Sequence, residues 1–161
     1  TNGETVLDVG CGNGTVALDI ASKRPKCNFI GVDINNKNID KANQLKLKYG
    51  IKNVNFIFGD INSQGEINSD VIILSNILEH IDERINFLNR LINTTKAKKY
   101  IIRVPLFERD WQIPLMKELG IDYFSDNDHK IEHSIAEFRR EMSDSKLKIR
   151  EINQLPDALY L

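Results

Sequence analysis

The sequence is short of the features that would mark a secreted, membrane-bound or polyanion-binding chain. Two cysteines, Cys11 and Cys27, in 161 residues are too few for the disulfide framework of a small secreted domain, and Cys11 lies inside a glycine cluster. Free thiols and a reducing, cytoplasmic setting are expected. No apolar run approaches the roughly 18–20 residues that cross a bilayer, and no basic start leads into a hydrophobic segment. Neither a signal peptide nor a membrane partner is therefore expected. An excess of one charge is also missing: 22 Lys and Arg face 23 Asp and Glu, a net charge of −1, which disfavours general nucleic-acid binding. Thr1 is no initiator Met, and the first strand follows within a few residues, so an N-terminal segment is expected to be missing.

What is present is regular. Val6, Leu7 and Val9 form a short apolar strand, and the glycine cluster behind it opens an apolar helix from Thr15 to Ala21. The pattern repeats with a strand at Phe29 to Val32, a helix from about Asn36 to Tyr49 closed by Gly50, and a strand at Val54 to Phe58. A fourth strand, Val71 to Leu74, a helix carrying Ile81, Ile85, Leu88 and Ile92, and a fifth strand, Tyr100 to Val104, complete the series. Alternation of apolar strands with amphipathic helices predicts a three-layer α/β fold with a mainly parallel sheet. The length suits one domain spanning residues 1–161. From 105 to 133 the regularity lapses, which predicts a cap or insertion. Ser134 with Glu137 reads as a capping box for a helix burying Phe138 and Met142, followed by an alternating strand at Leu147 to Ile152 and a last, antiparallel strand at Ala158 to Leu161.

In an open parallel sheet, ligands bind beyond the carboxyl ends of the strands, where strand order reverses. Asp8, Gly10, Cys11, Gly12, Asn13 and Gly14 follow the first strand; Asp33 and Ile34 end the second, with Asp33 nineteen residues after Gly14. Asp60 and Ile61 follow the third strand, and Ser75 and Asn76 end the fourth. Glycines allow a tight turn and close backbone approach to a ligand, and a carboxylate at the second strand end can accept both ribose hydroxyls. A dinucleotide loop would want G-x-G-x-x-G; here the third glycine comes one residue early and Thr15 stands in its place, which demotes a nicotinamide-dependent oxidoreductase.

VLDVGCGNG, Asp33 in FIGVDI, GDI at Gly59 to Ile61 and SNILEHI at Ser75 to Ile81 together resemble the successive motifs of class I, Rossmann-like S-adenosylmethionine-dependent methyltransferases, in the small-molecule group. DNA amino-methylases would carry an Asn/Asp-Pro-Pro-aromatic motif at the fourth strand, and this chain does not. The resemblance implies S-adenosyl-L-methionine as cofactor. Asp8 and the Gly10 to Gly14 backbone would hold its amino-acid part, Asp33 the ribose, Asp60 and Ile61 the adenine with Ile34 packed on its face, and Ser75 and Asn76 the methionine side. The implied function is methyl transfer to an oxygen or nitrogen of a small-molecule acceptor, with a non-catalytic binding domain as the alternative.

An acceptor that loses a proton needs a base within hydrogen-bond reach. His80, His129, Glu132 and His133 are the candidates, of which His80 and His129 are favoured; Glu132 reads more as a surface residue and His133 as a solvated helix entry. Phe107, Arg109 and Trp111 are the candidate acceptor contacts. Asn76, Glu79 and His80, with His129, resemble the Glu-x-x-Glu-His pattern of metal-assisted O-methyltransferases. The first Glu is replaced by Asn76, however, and no metal is assigned.

Overall fold

Strands β1 (Thr5–Val9), β2 (Asn28–Asp33), β3 (Val54–Phe58) and β4 (Val71–Ser75) run parallel in the order β3-β2-β1-β4. Their register places Val6 between Phe29 and Val71, and Phe29 beside Val54. Helices α1 (Thr15–Lys23) and α2 (Asn36–Tyr49) pack on this sheet through Ala17, Leu18, Ala21, Ile39 and Ala42, against Val6, Phe29, Val54, Phe56, Val71 and Ile73. Leu7, Val9, Ile72 and Leu74 are buried as well, as expected of parallel strands covered on both faces. The Asn35 side chain accepts from Lys37 N–H to cap α2, and Gly50, at φ 66°, closes it with its amide on the Leu47 and Lys46 carbonyls.

The computed structural model describes residues 3–155 and 158–160. Its chain forms two units, Thr1–Ser75 with Arg90–Ile101, and Asn76–Asn89 with Ile102–Leu161. Helix α3 (Arg84–Thr95) and strand β5 (Lys99–Pro105) contribute to both. In the second unit, β7 (Ala158–Tyr160) pairs antiparallel with Arg103–Pro105 of β5, and β6 (Asn153–Leu155) pairs antiparallel with β7. Helix α4 (Gln112–Glu118) lies in the stretch expected to be irregular; its Pro114 sits in the first turn, where no backbone donor is missed. Helix α5 (Ile135–Asp144) has the expected capping box and buries Phe138 and Met142.

Two expectations about these elements change, and one is met as far as the described residues reach. The alternating stretch Leu147 to Ile152 is not a strand. The left-handed turn at Lys146, φ 61°, closes α5 and commits the Leu147 amide to Met142 O at 2.8 Å, so pairing starts only at Asn153. The helix expected from Ile81 starts at Arg84; Leu78–His80 forms a separate 3-10 turn that ends, rather than begins, at His80. The last strand runs to Tyr160, and Leu161 lies outside the described residues. Among the described residues, no helix is long and apolar enough to cross a membrane.

Candidate functional site

Strand order in the first unit reverses between β1 and β4, and the glycine loop leaves β1 at that switch point. The amides of Gly10 and Cys11 both donate to Val32 O, at 2.7 and 3.1 Å, which stitches the loop to the end of β2. Asp33 completes the clamp. Its Oδ2 accepts from Gly12 N–H at 2.8 Å, and its Oδ1 accepts from Asn35 N–H at 2.8 Å and Asn38 Nδ2 at 3.3 Å. The Asn13 side chain accepts from the amide and hydroxyl of Thr15, tying the loop to the first turn of α1.

The glycines divide the work. Gly14, at φ 75°, has Phe56 Cζ where an added methyl would stand 2.5 Å away and Ala42 Cβ at 2.8 Å; Gly31 is filled in the same way by Phe56 and Cys11. These two glycines make room for the Phe56 ring. Gly12, at φ 55°, would point an added methyl into open space, with nothing within 4 Å. The loop is therefore closed on its core side and open at Gly12. Two apolar side chains near it are left in solvent: Ile34, 75% exposed directly after Asp33, and Phe58, 56% exposed at the end of β3.

Two buried carboxylates shape the electrostatics. Burial, with the like charge of Asp33, pushes Asp8 up to about 7. Burial, then the charges of Asp8 and Asp33, pushes the Cys11 thiol up to about 12, so Cys11 is a packing residue and no nucleophile. Such a site favours a cationic ligand. Asp60 is exposed and caps the 3-10 turn Ile61–Ser63 by accepting from Asn62 N–H at 2.9 Å; the Gly59 amide donates to Asp33 O at 2.9 Å, joining the two strand ends. Ser75 is half-buried at the end of β4, one residue beyond Leu74, the partner of Val9. Asp8, residues 10–14, Asp33, Ile34, Asp60, Ile61 and Ser75 thus all fall in the first unit, and Asn76, exposed with φ 56°, in the second.

The second unit holds the remaining candidates. His129 is nearly buried, with Nδ1 2.9 Å from Glu132 Oε1, and its ring meets that of His80 edge-on at 4.7 Å. His80 Nδ1 lies 3.2 Å from Asp128 Oδ2. Glu132, expected on the surface, is buried. It accepts from the Ser125 amide at 2.7 Å, the Ser125 hydroxyl at 2.8 Å and Arg109. Burial raises its pKa, but the Ser125 amide, His129 and Arg109 together hold its carboxyl below the usual value. Arg109, expected to reach an acceptor, is turned inward to Glu132 and the carbonyls of Leu106 and Tyr123. His133, expected to be solvated, is fully buried with Nε2 2.9 Å from Glu141 Oε2, and Arg84 holds the other oxygen of that carboxylate. Phe107 packs edge-on against Tyr123 at 5.7 Å, and Trp111 is 73% exposed. Glu79, which the sequence offered only within a metal pattern, is fully buried, and both of its carboxylate oxygens lack a hydrogen-bond partner.

The family model described as "Methyltransferase domain" matches residues 1–154, and the chain belongs to that family, as a class I S-adenosylmethionine-dependent methyltransferase domain. A tRNA (guanine-N(7)-)-methyltransferase of Microcystis aeruginosa is 38% identical over 61 residues, 38% of this chain and 29% of that enzyme. The match thus spans under a third of that relative's length. A solved S-adenosylmethionine-dependent methyltransferase from Aquifex aeolicus aligns with a TM-score of 0.74 at 18% identity, covering 99% of this chain and 82% of its own. Magnesium protoporphyrin IX methyltransferase from Synechocystis PCC 6803, solved with bound S-adenosylhomocysteine, gives 0.74 at 20% identity, with 99% and 74% covered. The likeness carries the fold, a Rossmann-like α/β fold with a parallel five-strand sheet, as the sequence predicts. The open, acid-lined loop at Gly12 fits S-adenosylmethionine, whose sulfonium and ammonium are both cationic.

Proposed function

We propose that this chain transfers a methyl group from S-adenosylmethionine to an oxygen or nitrogen of a small, polar acceptor. The observation that carries this reading is the loop at Gly12, open to a ligand and clamped by Asp33 beside a second buried carboxylate, Asp8. The donor, when bound, supplies a methyl already activated on a sulfonium, so the protein's task is to bind, align and exclude water. Asp33 takes the ribose hydroxyls, and Asp8 with the Gly10 to Gly14 backbone takes the charged amino-acid part. Ile34 covers the adenine, which Asp60 and Ile61 meet at its edge, and Ser75 with Asn76 borders the methionine side. Phe107 and Trp111 supply apolar contact to the acceptor. Arg109 acts through Glu132, because its guanidinium is already engaged. His80 and His129 assist the loss of the acceptor's proton. The net charge of −1 favours a small acceptor over a polyanion such as tRNA, and the buried thiol of Cys11 suits a reducing cytoplasm.

Calorimetry should show one S-adenosylhomocysteine bound per chain and no NAD; the reverse order would sink the reading in favour of an oxidoreductase. Radiolabelled methyl from the donor should pass to a small-molecule fraction of a cell extract. Label appearing in tRNA would overturn the acceptor class, and binding without any transfer would point to a non-catalytic module. A finer check uses the open glycine. Gly12→Ala is expected to lower the melting temperature by only about 2–4 °C, from roughly 1 kcal/mol of left-handed strain. It should weaken S-adenosylhomocysteine binding about tenfold, as judged by a backbone approach that a methyl group obstructs. Unchanged affinity would show that no ligand meets the loop at Gly12.

A further inference from the structure

We propose that Glu79, His80 and His129 bind a single divalent transition-metal ion of the zinc type. One ligand atom from each of the three lies within 4.8 Å of the others. Tetrahedral coordination at ordinary zinc bond lengths needs ligand atoms about 3.3 Å apart, so the set must tighten around an ion. Three further observations point to an ion.

First, Glu79 is fully buried, and neither carboxylate oxygen has a hydrogen-bond partner. The nearby charge of Arg103 offsets part of the cost of burying this carboxylate, but its oxygens stay without a hydrogen bond, and a coordinated cation is a partner that takes them. Second, Glu132 sits behind His129 as a carboxylate often does behind a metal-binding histidine. A carboxylate only accepts when ionised, so the Nδ1 hydrogen of His129 is held by Glu132, and the other ring nitrogen carries the free lone pair. Glu132 is itself fixed by Ser125 and Arg109, whose positive charge offsets one carboxylate. Third, the two segments are docked through the backbone: the Lys130 amide donates to Glu79 O at 2.7 Å, holding the His129 segment on the 3-10 turn that carries Glu79 and His80.

Two imidazoles and one carboxylate suit zinc, cobalt or ferrous iron better than magnesium or calcium, which favour oxygen alone. Three protein ligands leave a coordination position open, as in catalytic rather than structural sites. An acceptor oxygen placed there would lose its proton more readily, which gives His80 and His129 their acceptor-side role. Asn76, exposed and at positive φ, takes no part. A neighbouring group, Asp126, Asp128 and His129, also has its ligand atoms close together, but both aspartates are exposed and give no reason to need an ion.

Ion binding does not depend on the methyl-transfer reading and is measured directly. The chelator-treated chain is titrated with Co²⁺ by visible absorption and with Zn²⁺ and Mg²⁺ by calorimetry. One Co²⁺ per chain should bind with the spectrum of a four- or five-coordinate site, Zn²⁺ should displace it, and Mg²⁺ should not compete. Glu79→Gln and His129→Ala should each weaken Zn²⁺ by on the order of a hundredfold. Glu132→Gln should cost roughly ten- to a hundredfold through loss of His129 orientation. Saturating Zn²⁺ should raise the melting temperature of the wild type but not of Glu79→Gln. If Glu79→Gln fails to fold, His80→Ala and Glu132→Gln decide by the same two readouts. No stoichiometric ion in the wild type, full affinity in a folded Glu79→Gln, or loss of binding in Asp128→Asn with none in Glu79→Gln would each overturn the proposal. S-adenosylhomocysteine affinity of the wild type, measured alongside, tests the methyl-transfer reading separately.

Discussion

Asp33→Ala should weaken S-adenosylhomocysteine by at least about a hundredfold and destabilise the fold by roughly 2–3 kcal/mol. Both effects come from one carboxylate. Without a donor bound, it accepts three hydrogen bonds, from Gly12 N–H, Asn35 N–H and Asn38 Nδ2, and so fixes the glycine loop to the entry of α2. On the proposed reading, the ribose hydroxyls of a bound donor would add two charge-assisted bonds, each worth roughly 1.5–3 kcal/mol. Alanine removes the clamp and the ribose contacts together and leaves the half-buried Gly12 amide unpaired. Asp33→Asn separates the two roles. Its one carbonyl oxygen can still accept from Asn35 N–H, but its amide nitrogen cannot accept from Gly12 N–H, so stability should fall less than affinity. Calorimetric affinities beside thermal melts decide the matter. Binding within about threefold of wild type in Asp33→Ala would remove Asp33 from the donor site.

The loop, Asp33 and the strand ends are legible in the sequence because every signal there is local. A short apolar run, a glycine cluster and a capping Gly50 each announce an element within a few residues. Gly14 was legible as a glycine but not for its reason, since Phe56, which fills its space, comes forty-two residues later. The second unit reads poorly for the same cause. Glu132 and His133 look like solvated polar residues in a charged stretch. Their burial depends on Arg109, twenty-three residues before Glu132, and on the Glu141–Arg84 pair, fifty-seven residues apart. Hydrophobic periodicity carries no mark of a polar side chain satisfied by a distant partner. Leu147 to Ile152 failed differently: the alternation is real, but a left-handed turn at Lys146, φ 61°, claims the first backbone donor a strand would have used.

Asp8→Asn is expected to make the protein more stable at pH 8 and worse at binding its donor. Folding raises the Asp8 pKa from an ordinary 3.8 to about 7, through burial and the charge of Asp33. The folded state therefore holds this proton more tightly than the unfolded chain does, and stability falls as pH rises from about 4 through about 7, then levels off. Three pKa units at 1.36 kcal/mol each put the destabilisation from an ionised Asp8 at roughly 4 kcal/mol above pH 8. The neutral amide escapes it. Glu79, also raised to about 7, gives the wild type and the variant the same additional slope, so the difference between their stability curves isolates Asp8. That difference should be near zero at pH 4, open between pH 4 and 7, and stay open above. Donor binding should show the opposite preference. The donor's positive charges favour the ionised acid, so wild-type affinity for S-adenosylmethionine should climb as pH rises past 7 and then plateau, while the variant should bind weakly with little pH dependence. A variant that melts below the wild type at pH 8 would show that Asp8 is paired in the ligand-free fold. A wild-type affinity flat from pH 6 to 8 would show that the acid does not face the donor's charge. If both trends appear, the instability built into the end of β1 is the electrostatic cost of a cation-binding site formed before its ligand arrives.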